Sequence, residues 1–383
     1  MATIHDIPVE ILTKIFEYLT PSDRRVASQV NRYWQYIWNT PTLFDTDRTL
    51  IFNDCVIRSG CKPASVFRKT NRRYYKIIIG HVEFEDGFVE MWTRLGKTIK
   101  FLEFDRTFVF NKEKHSEFLQ YFPNLKIMKI NFEYWKRETF QFDMISSTIE
   151  KLILNFGPYY GSTKAFEKLI LYSTGLNELE LENIELNDEV VALLPSIMCI
   201  LTKLKIKVYS HQIQNLKKIR APNLTHLSVK EFGSELHEIL SEVLERLWNL
   251  QNFELSTRDV MPPKNIRKLG TLKVVNLEYY PECMSSVKFF GELEELDVSI
   301  WEDNDSDCFF GHNVYKNYSI KVFKLVTHKN QSCPRCIETI VRSFPLLERF
   351  EIDLKLTGNQ LTFLYENMVM LKNVVHKTVV DSA

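Results

Sequence analysis

Two cysteines and a short acidic run are the residues of this chain whose types and spacing come nearest to a chemical site. Cys333 and Cys336 form a C-x-x-C pair at the expected start of a helix, where backbone amides would lower a thiol pKa and favour redox or metal chemistry. The pair lacks the second C-x-x-C of a zinc site. The run DNDSD at residues 303–307 begins like a calcium loop, but Cys308 replaces the glycine and Val314 the glutamate that an EF-hand needs. We therefore predict no metal site and no cofactor, and we interpret both features as parts of the fold.

The rest of the sequence also lacks the marks of catalysis. No phosphate-binding loop, nucleophile elbow or HExxH motif occurs in it. Lys+Arg and Asp+Glu both total 49, so no net field points to nucleic acid or to an acidic membrane. The one basic stretch with aromatics, residues 67–76, is interpreted as a solvated edge. The chain is therefore predicted to be a non-catalytic protein whose partners are proteins.

Length and cysteine content limit the possible domain organisation and cellular compartment of this chain. A chain of 383 residues, 45% hydrophobic, with only 12 Gly and 13 Pro, holds either several domains or one repeat array. Its seven cysteines are an odd number scattered over the chain, which indicates free thiols in a reducing compartment. Residues 1–20 lack a basic start followed by an uninterrupted apolar stretch, so no secretory signal is expected. We expect a cytoplasmic and/or nuclear protein.

The elements that must position a binding surface begin with an amphipathic helix, expected from Pro8 to Leu19. Read at about 100° per residue, its apolar side chains cover roughly 200°, about twice the arc that packing on one core needs. A short helix at 23–27 and a third helix at 29–39 are expected to follow. About 40 residues in three helices rarely support themselves alone. The extra apolar arc is therefore covered either by the rest of this chain or by a groove of another protein.

The stretch that contains these helices, Asp6 to Phe44, reads DIPVEILTKIFEYLTPSDRRVASQVNRYWQYIWNTPTLF and resembles an F-box. The resemblance rests on the Pro-x-Glu-Ile-Leu-x-x-Ile-Phe-x-x-Leu helix, an aspartate turn, the Val-Asn-Arg-x-Trp segment and a closing Leu-Phe. Two residues depart from the family pattern, because Ile7 stands for the usual leucine before Pro8 and Arg24 stands where the family prefers leucine. The resemblance implies docking onto the Skp-family adaptor, which links F-box proteins to a cullin-RING ubiquitin ligase.

By position, the resemblance implies that the adaptor contact comes from the first and third helices. The candidate residues for it are Ile7, Pro8, Ile11, Leu12, Ile15, Leu19, Val30 and Trp34. Part of the apolar set must instead build the small internal core of the helices. The sequence leaves open which of four residues face inward: Leu12, Phe16, Tyr33 and Ile37.

Behind the helices one apolar skeleton recurs, with an apolar residue, two others, an apolar residue, one other and a last apolar residue. Its eleven occurrences, which begin 21 to 27 residues apart, are Ile99/Leu102/Phe104, Leu125/Met128/Ile130, Ile149/Leu152/Leu154, Leu176/Leu179/Leu181, Leu201/Leu204/Ile206, Leu224/Leu227/Val229, Leu250/Phe253/Leu255, Leu272/Val275/Leu277, Leu293/Leu296/Val298, Ile320/Phe323/Leu325 and Leu347/Phe350/Ile352. A twelfth, Tyr74/Ile77/Ile79, precedes them. The period matches leucine-rich repeats. Each unit is predicted to supply a short strand and to return along the outside. Helices are expected at 115–122, 162–173, 188–195, 234–248 and 336–344.

This part of the chain, roughly three quarters of it, resembles the leucine-rich repeats of F-box proteins. The predicted fold class is therefore α/β. A three-helix F-box domain at 1–50 is followed at 51–383 by a leucine-rich-repeat solenoid, with a curved parallel sheet inside and helices outside. The Asn or Cys that the family places three residues after the last skeleton position is absent, with Thr107 and Tyr209 among the replacements. Without that ladder to satisfy the backbone of the loops, we expect an irregular curvature of the solenoid.

The side chains between the skeleton positions are expected on the inner, concave face, which is the usual binding surface of such repeats. Two neighbouring strands there carry charges of opposite sign, Glu178, Glu180 and Glu182 against Lys203, Lys205 and Lys207. The simpler interpretation is mutual neutralisation across strands about 4.8 Å apart. The alternative is a client-binding footprint with an acidic excess that favours a basic degron. Its candidate residues are Glu254, Glu278, Glu295 and Asp297.

The residues and the resemblance together lead to one hypothesis and two rivals. The hypothesis is a substrate-recognition adaptor of a Skp-cullin-F-box ubiquitin ligase complex. Its F-box would bind the Skp-family adaptor, and through it the cullin, while the repeats would bind an unknown protein client. One rival is a leucine-rich-repeat scaffold, not linked to ubiquitination, whose N-terminal helices merely cap the repeats. The other is an adaptor-bound F-box protein that does not promote degradation.

Overall fold

The chain forms three N-terminal helices followed by short parallel strands and short helices. The computed structural model describes residues 7–19, 21–39, 49–52, 55–57, 74–84, 89–109, 118–131, 148–155, 173–182, 192, 194–209, 213–218, 220–232, 236–256, 269–278, 287–288, 290–301, 313–327 and 333–376. It divides into two compact units, Met1–Gly175 and Leu176–Ala383.

The three expected helices are present in the first unit. Helix α1 spans Val9–Tyr18, α2 spans Pro21–Ala27 and α3 spans Arg32–Trp38. Asn31 caps α3, because its side-chain oxygen accepts a hydrogen bond of 2.8 Å from the backbone nitrogen of Trp34. The sequence therefore predicted the existence and order of these helices, with ends that differ by at most three residues.

The strands of the first unit pair in parallel. They are β1 (Thr49–Phe52), β2 (Cys55–Ile57), β3 (Lys76–Phe84), β4 (Phe101–Val109), β5 (Ile127–Asn131) and β6 (Lys151–Asn155). Strand β3 pairs with β1, β2 and β4, and β4, β5 and β6 follow in sequence order. The connections carry helix α4 (Val89–Leu95) and two 3-10 turns, Gly96–Thr98 and Leu119–Tyr121. Gly96 is needed where these turns meet, since a Cβ there would collide with the Tyr121 carbonyl oxygen.

The second unit continues the same pattern. Its strands are β7 (Glu178–Glu182), β8 (Lys203–Tyr209), β9 (His226–Phe232), β10 (Asn252–Ser256), β11 (Thr271–Glu278), β12 (Glu295–Trp301), β13 (Val322–Thr327), β14 (Arg349–Ile352) and β15 (Asn373–His376). Each pairs in parallel with its sequence neighbour. The helices between them are α5 (Pro195–Met198), α6 (Ile213–Leu216), α7 (Leu236–Arg246), α8 (Pro334–Ser343) and α9 (Gly358–Asn367). The helices predicted at 234–248 and 336–344 are confirmed as α7 and α8. The described part of the helix predicted at 115–122 contains the 3-10 turn Leu119–Tyr121, and the helices predicted at 162–173 and 188–195 lie mostly outside the described residues.

The apolar skeleton is buried as predicted in ten of its eleven units. No skeleton residue of those ten is more than 5% exposed, and most have no exposed surface. Middle positions pair with middle positions across the strands, for example Leu204 with Leu227 and Leu227 with Phe253. This in-register stacking builds a continuous core within each unit, because side chains of alternating strand positions point to the same face.

The remaining unit, predicted as Leu272/Val275/Leu277, is corrected by the structure. In β11 the three skeleton positions are taken by Leu269, Leu272 and Val274, which are all buried, so the repeat begins three residues earlier than predicted. The stretch from 269 to 277 satisfies the spacing in two frames, so the sequence pattern alone does not choose between them. Pairing with β10 decides, because Leu272 lies in register with Phe253 and Val274 with Leu255. Against the next strand, β12, the register of β11 shifts between Val274 and Leu277, just after the last skeleton position.

A ladder of polar side chains joins successive repeats at the N-terminal ends of the strands. The Asn or Cys position of the family lies at their C-terminal ends, three residues after the last skeleton position. Side-chain amides of residues directly before the first skeleton position donate to carbonyl oxygens of the preceding repeat: Asn124 to Lys97 (2.7 Å), Asn223 to Cys199 (2.6 Å) and Asn249 to Pro222 (2.8 Å). Threonine hydroxyls make equivalent bonds, such as Thr98 to Tyr74 and Thr148 to Leu125. These bonds satisfy loop carbonyls that the sheet leaves without partners.

The α/β fold class is therefore confirmed, with three helices before parallel strands of leucine-rich-repeat spacing. Two strands extend the prediction. Strand β1 precedes the first recognised unit, and β15 follows the last one with Leu371, Val374 and His376 at skeleton spacing. A histidine at the last position concealed that repeat. The division at residues 50 and 51 stays a prediction, and it falls within β1.

Candidate protein-binding surfaces

Helix α1 divides its wide apolar arc between two environments. Leu12 and Phe16 are 1% and 0% exposed and form a core with Ile37 of α3. The Phe16 ring meets the Trp34 ring edge-on, with centroids 5.6 Å apart. Among the described residues, the half-buried side chains packed on this core, from Ile7 to Trp38, all belong to the three-helix segment. The internal core of the helices is therefore their own.

The other half of the arc faces solvent. Ile11 is 48% exposed, Ile15 44% and Tyr18 91%. At about 100° per residue, positions i, i+4 and i+7 lie within about 60° of one another, so these side chains form one stripe. We call Ile11, Ile15 and Tyr18 the apolar stripe. Large apolar side chains gathered on one helix face are typical of a surface that a partner covers.

The residues predicted for the adaptor contact fall into three groups. Four are exposed: Pro8, Ile11, Ile15 and Val30. Three are half-buried and lie beside the core or at the end of α1: Ile7, Leu19 and Trp34. Leu12 is a correction, because burial to 1% assigns it to the internal core and leaves it almost no surface for a partner. Tyr33 is half-buried, and its hydroxyl lies 3.4 Å from the Ile7 carbonyl oxygen, to which it donates.

Three exposed apolar residues of the helices were not among the predicted contacts: Tyr18, Val26 and Tyr36, at 91%, 64% and 66% exposure. Tyr18 carried a usable signal, since it lies seven residues after Ile11 on the same helix face. Val26 follows two arginines on a short helix, where periodicity is too brief to assign a face. The exposed apolar surface is therefore larger than the predicted set.

Arg24, the departure from the family pattern, holds the end of α1. Its guanidinium donates to the carbonyl oxygens of Leu19 (2.9 Å) and Glu17 (3.0 Å), and the residue is 9% exposed. Carbonyl groups in the last turn of a helix have no partner within it, and a cation there also favours the helix dipole. An arginine thus takes over from leucine here by bonding to backbone rather than by apolar packing.

The half-exposed face of the sheet carries alternating charges, as the simpler interpretation predicted. We call the side chains between skeleton positions the open face. Glu178 lies in register with Lys203 and Glu180 with Lys205. The first pair is 2.6 Å apart, and Lys205 bonds to Glu180 and lies 3.6 Å from Glu182. Mutual neutralisation between β7 and β8 is therefore confirmed.

In the first unit the same arrangement centres on one carboxylate. Glu103 is 9% exposed and lies 2.6 Å from the ammonium of Lys76 and 2.7 Å from that of Lys129. Burial alone would raise the pKa of Glu103, but hydrogen bonds from Lys129 and Lys76 outweigh it and hold the pKa below its ordinary value. The two lysines thus keep a buried carboxylate charged and tie β3, β4 and β5 together.

The predicted client-binding carboxylates do not form an unpaired acidic cluster. Glu254 lies 3.5 Å from Lys273, and Glu295 lies 2.5 Å from Lys324. Burial raises the pKa of Asp297, and the lysines in register on both sides, Lys273 and Lys324, oppose that shift. Lateral pairing with lysines therefore removes the acidic excess that the sequence suggested at Glu254 and Glu295. The side chain of Glu278 lies outside the described part of the structure.

His226 on the open face has both ring nitrogens in hydrogen bonds. The Asn252 amide lies 2.8 Å from Nε2 and donates to it, so Nδ1 carries the proton and donates to the Thr225 hydroxyl, also at 2.8 Å. Burial lowers the pKa of His226, and the nearby Lys203 lowers it further. The imidazole is therefore neutral at physiological pH and serves to hold β9 against β10.

The structure describes the other features singled out in the sequence only in part. Cys333 and Cys336 are buried thiols at the start of α8, 9% and 0% exposed. The acidic run at 303–307 and most of the basic stretch at 67–76 lie outside the described residues. Over the part of the chain that is described, no three His, Cys, Asp or Glu side chains are placed to hold a metal ion. Within the same residues, no helix has the length and apolar content to span a membrane.

Comparison with solved structures finds matches of low sequence identity. The mouse RP105/MD-1 complex is 16% identical, with 86% of this chain and 67% of that chain covered and a TM-score of 0.46. The yeast Rad7 and Elc1 complex is 12% identical, covering 91% and 89%, with a TM-score of 0.38. A leucine-rich-repeat protein of Leptospira interrogans is 12% identical, covering 79% and 89%, with a TM-score of 0.33. With TM-scores below 0.5, these likenesses carry no conclusion about this chain.

Comparison with curated proteins finds no match. Comparison with protein families finds one, and it falls on the segment whose helices are described above. Residues 4–46 match the F-box-like family. The matched range contains α1, α2 and α3, the Leu12–Phe16–Ile37 core and the apolar stripe. The N-terminal segment of this chain is therefore F-box-like, and parallel strands of leucine-rich-repeat spacing follow it.

Proposed function

We propose that this protein is the substrate receptor of a Skp-cullin-F-box ubiquitin ligase. The F-box-like helices bind a Skp-family adaptor, which connects the chain to a cullin, and the repeats bind a protein client. Both kinds of module typically serve interaction rather than catalysis, and the proposal assigns no catalytic residue to this chain. It includes the cytoplasmic and/or nuclear localisation expected from the cysteines.

The single observation that carries the proposal is the division of α1 into a buried and an exposed apolar side. Leu12 and Phe16 satisfy the core of the helices, so Ile11, Ile15 and Tyr18 are not needed there. The same segment matches the F-box-like family. An amphipathic helix with a second apolar side fits the groove of a partner protein. Val30, 63% exposed, and Pro8 extend the proposed contact beyond the apolar stripe.

The scaffold rival, in which the helices only cap the repeats, predicts that the apolar arc of α1 packs on the sheet. In the described part of the chain, the residues packed on the core of Leu12 and Phe16 come from 7–38. The exposure of Ile11 and Ile15 likewise supports a surface reserved for another chain. These two observations favour the ligase proposal over the cap.

In the proposed mechanism this chain acts by position. A client held on the repeats is brought next to a conjugating enzyme recruited through the adaptor and the cullin. Holding two reactants in one complex raises their effective concentration, so the receptor contributes to the rate without taking part in the chemistry. The lysine acceptor and the catalytic groups belong to the client and to the other subunits.

The test is co-expression of the full chain with a Skp-family adaptor, followed by size-exclusion chromatography. The wild-type chain is expected to co-elute with the adaptor as a one-to-one complex. The variant Ile11→Asp with Ile15→Asp is expected to abolish the complex, because two carboxylates would be buried without partners in an apolar interface. Both positions are exposed, so circular dichroism of the variant should match the wild type.

The matched control is Glu10→Gln with Glu17→Gln, which changes two exposed residues on the polar side of the same helix and should leave the complex intact. Absence of a complex with the wild-type chain would reject the proposal. Loss of the folded state in the aspartate variant would support the scaffold rival instead. Client accumulation on depletion of the chain then separates a degradation receptor from an adaptor-bound protein that does not promote degradation.

A further inference from the structure

The starts of the later strands in the second unit border a groove of about 920 Å³. It crosses the first residues of β10, β11, β12 and β13 and includes residues of the turns before β14 and β15. We call it the strand-start groove. It includes Glu295, one of the predicted client-binding carboxylates, which is paired with Lys324.

An apolar wall forms one part of the strand-start groove. Tyr318, Leu346 and Met370 line it, and they are 60%, 44% and 44% exposed. They belong to three successive turns, before β13, β14 and β15. Neighbouring strands are about 4.8 Å apart, so these side chains form a row along the groove. Exposed apolar rows of this kind are typical of a surface that binds a protein.

Two residues of this row occupy a repeat position at which earlier repeats carry a hydrogen-bonding asparagine. Leu346 and Met370 stand directly before the first skeleton residue of their repeats, the position that Asn223 and Asn249 occupy in theirs. The asparagines donate hydrogen bonds to the preceding repeat, whereas leucine and methionine have no donor to offer. Since these two side chains do not tie repeats together and remain exposed, the fold gives no reason for their apolar character.

An acidic wall forms the other part. The groove is lined by four carboxylates, Glu292, Glu294, Glu295 and Glu348, and by one ammonium, Lys321. Three of the carboxylates are in ion pairs: Glu294 lies 2.6 Å from Lys321, Glu295 lies 2.5 Å from Lys324 and Glu348 lies 2.5 Å from Lys372. Glu292 is exposed and forms no ion pair with any described residue. Within the described residues, Glu292 is therefore a carboxylate of the groove without an ion pair, and its turn before β12 is followed along the sheet by the turn of Tyr318 before β13.

We propose that the strand-start groove binds an extended segment of a protein client in which apolar side chains are followed by lysine or arginine. Apolar side chains of the segment pack on Leu346 and Met370, and its cation lies against Glu292. From β10 to β15 the groove spans five strand spacings, about 24 Å, which accommodates about seven extended residues. From Met370 to Glu292 the distance is three strand spacings, about 14 Å, so the cation and the far apolar side chain are about four residues apart.

This inference rests on the proposed function only in calling the partner a client, because peptide binding by the groove needs no adaptor. The probe is a short fluorescein-labelled peptide in which leucines alternate with serines and lysines follow. Binding to the full chain is measured by fluorescence anisotropy. The wild-type chain should bind this peptide, and replacement of the lysines by glutamates or of the leucines by serines should weaken binding by about tenfold or more.

Two variants with matched controls locate the binding. Leu346→Ser with Met370→Ser should weaken the lysine-leucine peptide by about tenfold. Val326→Ser is its control, because Val326 is 41% exposed but lies on the open face of β13. Glu292→Lys should weaken the same peptide by about fivefold at low salt and less at high salt. Glu366→Lys, on the exposed side of α9, should leave binding unchanged.

Three results would overturn the proposal: no binding of the lysine-leucine peptide by the wild-type chain, equal binding of the glutamate peptide, or equal binding by the Leu346/Met370 variant. Adaptor co-elution of the same groove variants separates this outcome from failure of the proposed function. Groove variants that still bind the adaptor but lose the peptide support both. A wild-type chain that binds the peptide but not the adaptor keeps the groove and rejects the ligase.

Discussion

Ile11 and Leu12 are consecutive in the chain, yet Ile11 is 48% exposed and Leu12 is 1% exposed. One helical residue turns the side chain by about 100°, which is enough to move it from the apolar stripe to the internal core. We therefore expect the two positions to separate stability from adaptor binding within a single helix. Their variants should behave in opposite ways in two assays.

We expect Leu12→Ala to destabilise the N-terminal helices by about 2–4 kcal/mol, since it leaves a cavity against Phe16 and Ile37. Ile11→Ala should change stability by about 0.5 kcal/mol or less but weaken the adaptor complex. Urea unfolding followed by tryptophan fluorescence and adaptor titration measure the two effects. Equal destabilisation by both variants would contradict the assignment of Leu12 to the core and Ile11 to the surface.

Arg24→Ala should destabilise the three-helix segment by about 1–3 kcal/mol. The guanidinium bonds to two carbonyl groups at the end of α1, and hydrogen bonds to charged groups are stronger than neutral ones. The neighbouring Arg25 is exposed, so Arg25→Ala is the control and should have little effect. Hydrogen exchange of the last turn of α1 provides the local readout. Identical exchange in both variants would show that Arg24 does not hold this helix end.

Asn223→Ala and Asn249→Ala should each lower the free energy of unfolding by about 1 kcal/mol. Each removes a hydrogen bond of 2.6–2.8 Å to the preceding repeat and leaves a carbonyl group without that partner. Asn359→Ala on the exposed start of α9 is a control of the same chemistry. Urea midpoints of the full chain measure the change. A midpoint unchanged in both ladder variants would mean that water replaces the bonds at no cost.

Glu103 should make stability depend on pH in the acid range. Because the two lysines lower its native pKa below the ordinary value of 4.5, the ionised carboxylate stabilises the fold at pH values above about 4.5. This contribution is lost as the pH falls through the lowered native pKa. Glu103→Gln should therefore cost about 2 kcal/mol at neutral pH and progressively less below about pH 4.5.

The control for this titration is Glu150→Gln, which breaks an exposed pair with Lys126 and should change stability by about 0.5 kcal/mol or less at every pH. Unfolding midpoints measured from neutral pH down to about pH 3 test both variants. A constant difference between wild type and Glu103→Gln across this range would show that the carboxylate does not titrate as the two ion pairs require.

The sequence by itself determined the features that repeat or that depend on local spacing. Ten skeleton units, the helices α1, α7 and α8 and the opposite charges of β7 and β8 follow from periodicities of 3.6 and 2 residues. Such patterns are readable because each element must bury one side whatever its neighbours are. The F-box-like resemblance of Asp6 to Phe44 was legible for the same reason, since it depends on residue types at fixed spacing.

Tertiary structure decided everything that depends on which neighbour is present. Both Ile11 and Leu12 lie on the apolar arc of α1, and only packing against Ile37 selects Leu12 for the core. Two frames fit β11, and only pairing with β10 selects Leu272 and Val274. The sequence indicated an acidic excess at Glu254 and Glu295, but lysines on adjacent strands pair with both carboxylates. The strand-start groove brings together residues from 251 to 370. No local sequence pattern predicts it, because its walls come from six separate strands and turns.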